Sequence, residues 1–119
     1  MPGPLTIILK KKDSVDSRIT NNKDTIAIRI PDDSTLLKIV KGLKEPILLT
    51  SANKSGEDAC LNSDEVFNIF KEEVPLIIKG KCNYNIASTI VEIIDKKVNI
   101  IREGIIKKEE IERLVKVCE

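Results

Sequence analysis

The sequence has no histidine and no tryptophan, and only three aromatic residues, Phe67, Phe70 and Tyr84. Without imidazole the chain cannot build a Ser-His-Asp or Cys-His nucleophile pair, a histidine general base or an imidazole metal site from its own residues. Three aromatics are too few for a base-stacking surface. Cysteine is scarce and odd in number: Cys60, Cys82 and Cys118 stand 22 and 36 residues apart, with no Cys-x-x-Cys pair. That favours three reduced thiols over a disulfide framework or a zinc site. Apolar runs such as Ile47 to Leu49 are short, far below the roughly 20 residues needed to span a bilayer. Met1-Pro2-Gly3-Pro4 is no signal peptide. These absences predict a cytoplasmic protein without a membrane segment. Charge of one sign is also missing, since 20 Lys+Arg against 19 Asp+Glu leave a net +1. No global field draws the chain to nucleic acid, and any polyanion site must be local.

What remains suits one small domain, with 41% hydrophobic and 33% charged residues among 119 and no repeat, low-complexity tract or long linker. Leu5 to Leu9 and Thr25 to Ile30 are β-branched apolar runs that predict strands, the second ended by Pro31. Asp32, Asp33 and Ser34 are natural N-caps, and Leu36, Leu37, Val40 and Leu43 make the stripe of an amphipathic helix. Pro46 to Thr50 and Val74 to Ile78 predict two short strands. Between them, Asn62 followed by Glu65 resembles a capping box, ahead of a helix with Val66, Ile69 and Phe70 on its apolar side. Ser88 to Ile93 and Val98 to Ile101 flank Asp95-Lys96-Lys97 in the pattern of an antiparallel hairpin. A closing helix aligns Ile111, Leu114, Val115 and Cys118. The predicted fold class is α/β with α+β character: a twisted, mixed, open sheet with helices packed on it.

Three polar features exceed what such a fold requires. Thr50-Ser51-Ala52-Asn53-Lys54-Ser55-Gly56 follows an apolar run, and a hydroxyl, an amide and a permissive glycine suit an anion there as well as an ordinary Asx turn. Arg29 sits within an apolar run, where its guanidinium must snorkel, pair with an acid or hold a ligand. Arg102 ends a run before Glu103-Gly104, where a flexible turn could aim its fork at a phosphate or carboxylate. Ser88-Thr89 opens a strand and by itself signals little more than a cap.

Taken in order, five stretches resemble the YrdC-like family of threonylcarbamoyl-adenylate synthases. They are Pro2-Gly3-Pro4-Leu5-Thr6, Ala27-Ile28-Arg29-Ile30-Pro31, the Thr50 to Gly56 loop, Ser88-Thr89-Ile90-Val91 and Ile101-Arg102-Glu103-Gly104. The resemblance implies that residues 1–119 are the C-terminal part of a YrdC-like domain, a partial domain. It implies condensation of L-threonine, bicarbonate and ATP, with Mg²⁺, to threonylcarbamoyl-AMP and pyrophosphate, a nucleotidyltransferase reaction. A downstream transferase would carry the group to tRNA position 37. By the family's pattern Thr25, Ser51, Asn53 and Arg102 face ATP, while Arg29, Leu49 and Ser88 face L-threonine. No side chain is assigned a covalent catalytic role or a metal, in keeping with chemistry that needs positioning and charge neutralisation. Two alternatives share the resemblance: an RNA-binding protein without catalysis, and a carbamoyl-transfer module of the hydrogenase-maturation type.

Family members open with an N-terminal half that carries a Lys/Arg-rich nucleotide motif, and this half is expected to lie outside the present chain. Alone, the chain is then expected to be catalytically silent. It is also expected to expose an unpaired apolar edge near Leu5 to Leu9 or Pro46 to Thr50, and so to self-associate.

Overall fold

The computed structural model describes residues 3–117. The described chain divides into two units, one formed by residues up to Gly42 together with those from Ile86 onward, the other by residues 43–85.

The first unit is built on a four-stranded mixed sheet of β1 (Leu5–Lys10), β2 (Thr25–Ile28), β3 (Thr89–Ile94) and β4 (Lys97–Arg102), in the order β2-β1-β3-β4. β1 and β3 run parallel, and the two outer strands are antiparallel to their neighbours. β3 and β4 form the expected hairpin. Asp95 and Lys96 carry its turn at φ 50° and 63°, the left-handed pair that a two-residue connection needs to match the strands' twist. Register places Leu5, Ile7 and Leu9 opposite Thr89, Val91 and Ile93, and Val91 opposite Ile100. This face carries the core, where Val91 is buried beside fully buried Thr89.

Two helices belong largely to this unit. In α1 (Ser34–Leu43) Asp33 is the cap, its carboxylate accepting from the Leu36 N–H at 2.7 Å. Leu36, Leu37 and Val40 are half-buried as their stripe predicts, whereas Leu43 is exposed. α3 (Lys108–Val117) buries Ile111, and this residue and Val115 share a shallow groove with Val98 and Ile100 of β4. Leu114 departs from expectation and is exposed. β4 is an edge of the sheet among the described residues, and none of their strands lies beyond it to cover the outer flank of the α3 stripe. Cys118 lies outside the described residues.

The 43–85 unit holds α2 (Ser63–Phe70). Asn62 Oδ1 accepts from the N–H groups of Asp64 and Glu65, and the Glu65 carboxylate accepts from the Leu61 N–H at 2.8 Å. The capping box is therefore displaced by one residue at its return bond. Val66 and Phe70 are half-buried, while Ile69 is exposed. The two strands expected in this unit do not form. Pro46 to Thr50 and Val74 to Ile78 run without ladder partners among the described residues, and Leu48 and Leu76 are 78% and 76% exposed. An apolar run has strand propensity, but it becomes a strand only through a neighbour's hydrogen bonds.

The expected unpaired edge at Leu5 to Leu9 is overturned by the topology. β1 is interior to the sheet, paired on both sides, and the edges are β2 and β4. No helix among the described residues is long and apolar enough to cross a membrane.

Candidate functional site

The mixed topology brings four polar side chains to one end of the sheet. Where β1 and β3 begin, β2 and β4 finish. Arg29 follows the last residue of β2, Thr6 stands near the start of β1, Ser88 precedes β3, and Arg102 closes β4. Thr6 is in register with Ile90, and Ile90 with Arg102, so the two share a face. Hydrogen bonds knit the row together. Thr6 and Ser88 share a hydroxyl–hydroxyl bond of 3.0 Å. The Arg102 fork donates from Nε and Nη2 to the Ser88 carbonyl at 3.1 and 2.8 Å, and Nη2 also reaches Ser88 Oγ at 3.4 Å. Arg29 Nε donates to the Gly3 carbonyl at 3.1 Å, and the Gly3 N–H donates to the Ile30 carbonyl at 3.0 Å.

Two guanidinium groups and two hydroxyls at one strand end form a donor-rich, cationic row suited to an anionic oxygen. The nearest acid in sequence, Glu103, is already engaged. Its carboxylate accepts from the Lys108 N–H and the Lys107 ammonium at the start of α3. Those bonds hold it below the ordinary glutamate range.

The structure revises the expected environment of both arginines. β2 ends at Ile28, so Arg29 lies past the strand and is exposed, and no buried charge needs compensating. With Nε held by Gly3, its terminal nitrogens make no other hydrogen bond among the described residues. Arg102 does not project from a flexible turn, because much of its fork is closed on Ser88. Gly104, expected to supply the flexibility, is instead a close contact. A Cβ there would lie 2.1 Å from the Ala87 carbonyl oxygen and 2.7 Å from the Ser88 carbonyl carbon. Thr25 opens β2 opposite Lys10, four residues from Arg29 and about 13 Å away at the usual strand rise. It therefore stands at the far end of the sheet from the row.

Sequence reasoning gave no role to Thr89, which holds the row in place. Its hydroxyl donates to the Ile106 carbonyl at 2.7 Å and accepts from the Gly104 and Ile106 N–H groups at 3.0 Å each. This one side chain clamps the stretch after β4 onto the start of β3. Within a β-branched run a threonine looks like strand propensity alone, and the adjacency of Ser88-Thr89 to a later Gly104 was the only available signal.

The remaining candidates belong to the 43–85 unit. Asn53 spends both amide hydrogens inside its loop, donating to the carbonyls of Lys54 and Glu57 at 3.0 and 3.1 Å. The Cys60 N–H closes the loop on the Ala52 carbonyl at 2.8 Å, and Gly56 takes φ 85°, a value that favours glycine. Lys54, the loop's one cation, pairs with Glu73 and lies over the Phe70 ring. What the loop offers a ligand is thus the exposed hydroxyls of Thr50, Ser51 and Ser55 and the Asn53 side-chain oxygen. Leu49 is exposed just before it.

The Sua5/YciO/YrdC family model, described as telomere recombination, matches residues 1–104. The chain belongs to the Sua5/YciO/YrdC family. Its relatives include a protein of Methanocaldococcus jannaschii provisionally named a threonylcarbamoyl-AMP synthase, 42% identical over 95% of this chain and 53% of its own length. The threonylcarbamoyl-AMP synthase of Pyrococcus abyssi is 32% identical over 96% of this chain and 34% of its own length. Among solved structures, P. abyssi Sua5 complexed with L-threonine superposes with a TM-score of 0.87 at 32% identity, over 95% of this chain and 34% of that one. Escherichia coli YciO gives 0.79 at 26% identity, over 92% and 54%. The chain therefore spans between about a third and about half the length of the family members it matches. The α/β architecture expected from the resemblance is that of these neighbours, of which the chain covers part.

Proposed function

We propose that the chain is the C-terminal part of a YrdC-like domain that makes threonylcarbamoyl-AMP from L-threonine, bicarbonate and ATP. The observation that carries this reading is the row Arg29, Thr6, Ser88 and Arg102 at one end of a sheet that superposes on a threonine-bound relative. Arg29 is the residue for the amino-acid carboxylate, since a tethered Nε leaves its terminal nitrogens for a planar anion. Ser88 faces the same substrate, to which the resemblance also assigns Leu49. Arg102 serves the phosphates of ATP; the resemblance also assigns Ser51, Asn53 and Thr25 to ATP, Thr25 from the opposite end of the sheet. Mg²⁺ would enter with the triphosphate of ATP, as the resemblance implies. The reaction joins a carbamate oxygen to the α-phosphorus and releases pyrophosphate, so the protein's work is to align two substrates and neutralise developing charge.

In this reading the product goes to a tRNA threonylcarbamoyl transferase in the cytoplasm, and the N-terminal part of the domain is required for turnover. Exposed Leu48, Leu49 and Leu76 are the surface through which the chain alone would self-associate. The test is threonine-dependent pyrophosphate release by the 119-residue chain, alone and mixed with the N-terminal half of the M. jannaschii relative. Turnover only in the mixture is expected. Turnover by the chain alone would remove the two-part reading, and none in either arm would remove the synthase assignment.

Arg29→Lys keeps the charge and loses the planar fork. L-threonine affinity in the active mixture should fall roughly tenfold, about the 1.5 kcal/mol of a charge-assisted bond, with ATP affinity unchanged. An equal loss of both ligands would mark Arg29 as a structural tether of Gly3 instead.

A further inference from the structure

The paired hydroxyls of Thr6 and Ser88 are backed by an arginine. A hydroxyl has one proton to donate and two lone pairs. Arg102 can only donate, so Ser88 Oγ is an acceptor toward Nη2 at 3.4 Å. In the bond to Thr6 either oxygen can supply the proton. If Thr6 supplies it, both lone pairs of Ser88 are filled and the Ser88 proton is free for a third partner. Thr6 Oγ1 has no other hydrogen bond among the described residues, so nothing else fixes the direction of its own proton. The chain Thr6 O–H to Ser88 O–H to an outside acceptor is then polarised along its length, each bond strengthening the next.

We propose that Thr6 is a positioning residue that turns Ser88 into a dedicated hydrogen-bond donor for an anionic oxygen. It does so by occupying the lone pair that Arg102 leaves open. This rests on the reading of the row as an amino-acid site and adds a chemical criterion to it. The pair reads the carboxylate and not the ammonium, because an ammonium would need Ser88 as acceptor and would compete with both donors already on it.

The test uses Thr6→Val, which keeps the shape and removes the hydroxyl, and Thr6→Ser, which restores it. Calorimetric titration compares L-threonine, L-threoninol (which lacks the carboxylate) and inorganic phosphate, using the chain supplemented with the relative's N-terminal half. L-threonine affinity is expected to fall about fivefold in Thr6→Val and to return in Thr6→Ser, with L-threoninol binding unmoved. A loss of packing would weaken both amino-alcohol ligands together, so equal ratios for the two would overturn the role of Thr6. Binding of L-threonine and of phosphate both unaffected by Thr6→Val would do the same. A Thr6-dependent loss confined to phosphate would keep the donor role and move the anion from carboxylate to phosphate, overturning the amino-acid reading. Failure of the parent protein to bind any of the three overturns both.

Discussion

Replacing Gly104 with alanine is expected to destabilise the protein by about 3 kcal/mol, a drop in melting temperature on the order of 15 °C for a domain of this size. The added Cβ would sit 2.1 Å from the Ala87 carbonyl oxygen and 2.8 Å from the Thr89 nitrogen. Both are backbone atoms and cannot step aside as a side chain would. Either the stretch after β4 lifts away from β3, breaking the Gly104 N–H bond to Thr89 Oγ1, or the start of β3 is pushed toward β1. In both cases Ser88 and the Arg102 fork lose their mutual placement, so ligand affinity should fall with stability. Gly42, inside α1 with open space around its Cβ position, supplies the contrast. Alanine there should stabilise by roughly 0.5–1 kcal/mol through helix propensity and a less flexible unfolded chain. Thermal unfolding of the two variants beside the parent checks the pair. A Gly104→Ala protein that melts with the parent would mean that this corner is looser than its contacts indicate.

The two glycines also mark where sequence reading reaches its limit. Gly42 could be assessed from its place in an amphipathic stripe, since helix cost is local. Gly104 was expected to be a flexible turn because its partners, Ala87 to Thr89, are a distant segment brought alongside only by the β3–β4 hairpin. The same division runs through the rest of the chain. β1, β2, the hairpin and the caps Asp33 and Asn62 were legible because alternation, β-branching and capping chemistry act over a few residues. Pro46 to Thr50 and Val74 to Ile78 have equally good strand composition and are not strands, because pairing is a property of a neighbour. Arg29 was placed within a strand that in fact stops one residue earlier, which replaced a buried-charge argument with an exposed, tethered guanidinium. Arg29, Ser88 and Arg102, which the resemblance singled out far apart in the sequence, come together at one end of the sheet. Thr6 meets Ser88 only through the parallel pairing of β1 with β3, and Thr89 meets Gly104 and Ile106 only through the β3–β4 hairpin.

Thr89→Val is the second large effect, and it separates hydrogen bonding from packing at a single buried atom. Valine fills the same volume but removes the oxygen that satisfies the Gly104 and Ile106 N–H groups and the Ile106 carbonyl. Gly104 is buried and Ile106 half-buried, so water can repair only part of the loss. An unsatisfied buried group costs about 1–3 kcal/mol, and two N–H groups and a carbonyl in this setting make a loss of about 3 kcal/mol reasonable. Thr89→Ser keeps the oxygen and gives up one methyl group, worth about 1 kcal/mol. The expected stability order is therefore parent, then serine, then valine, although valine is the better strand former. Because Ile106 leads into α3, amide exchange of residues 104 to 112 should speed up selectively in Thr89→Val while β1 and β2 keep their protection. Valine matching or exceeding serine in stability, or uniform exchange across the sheet, would show that the corner is held by apolar packing around Val91 and Ile111 and not by the Thr89 hydroxyl.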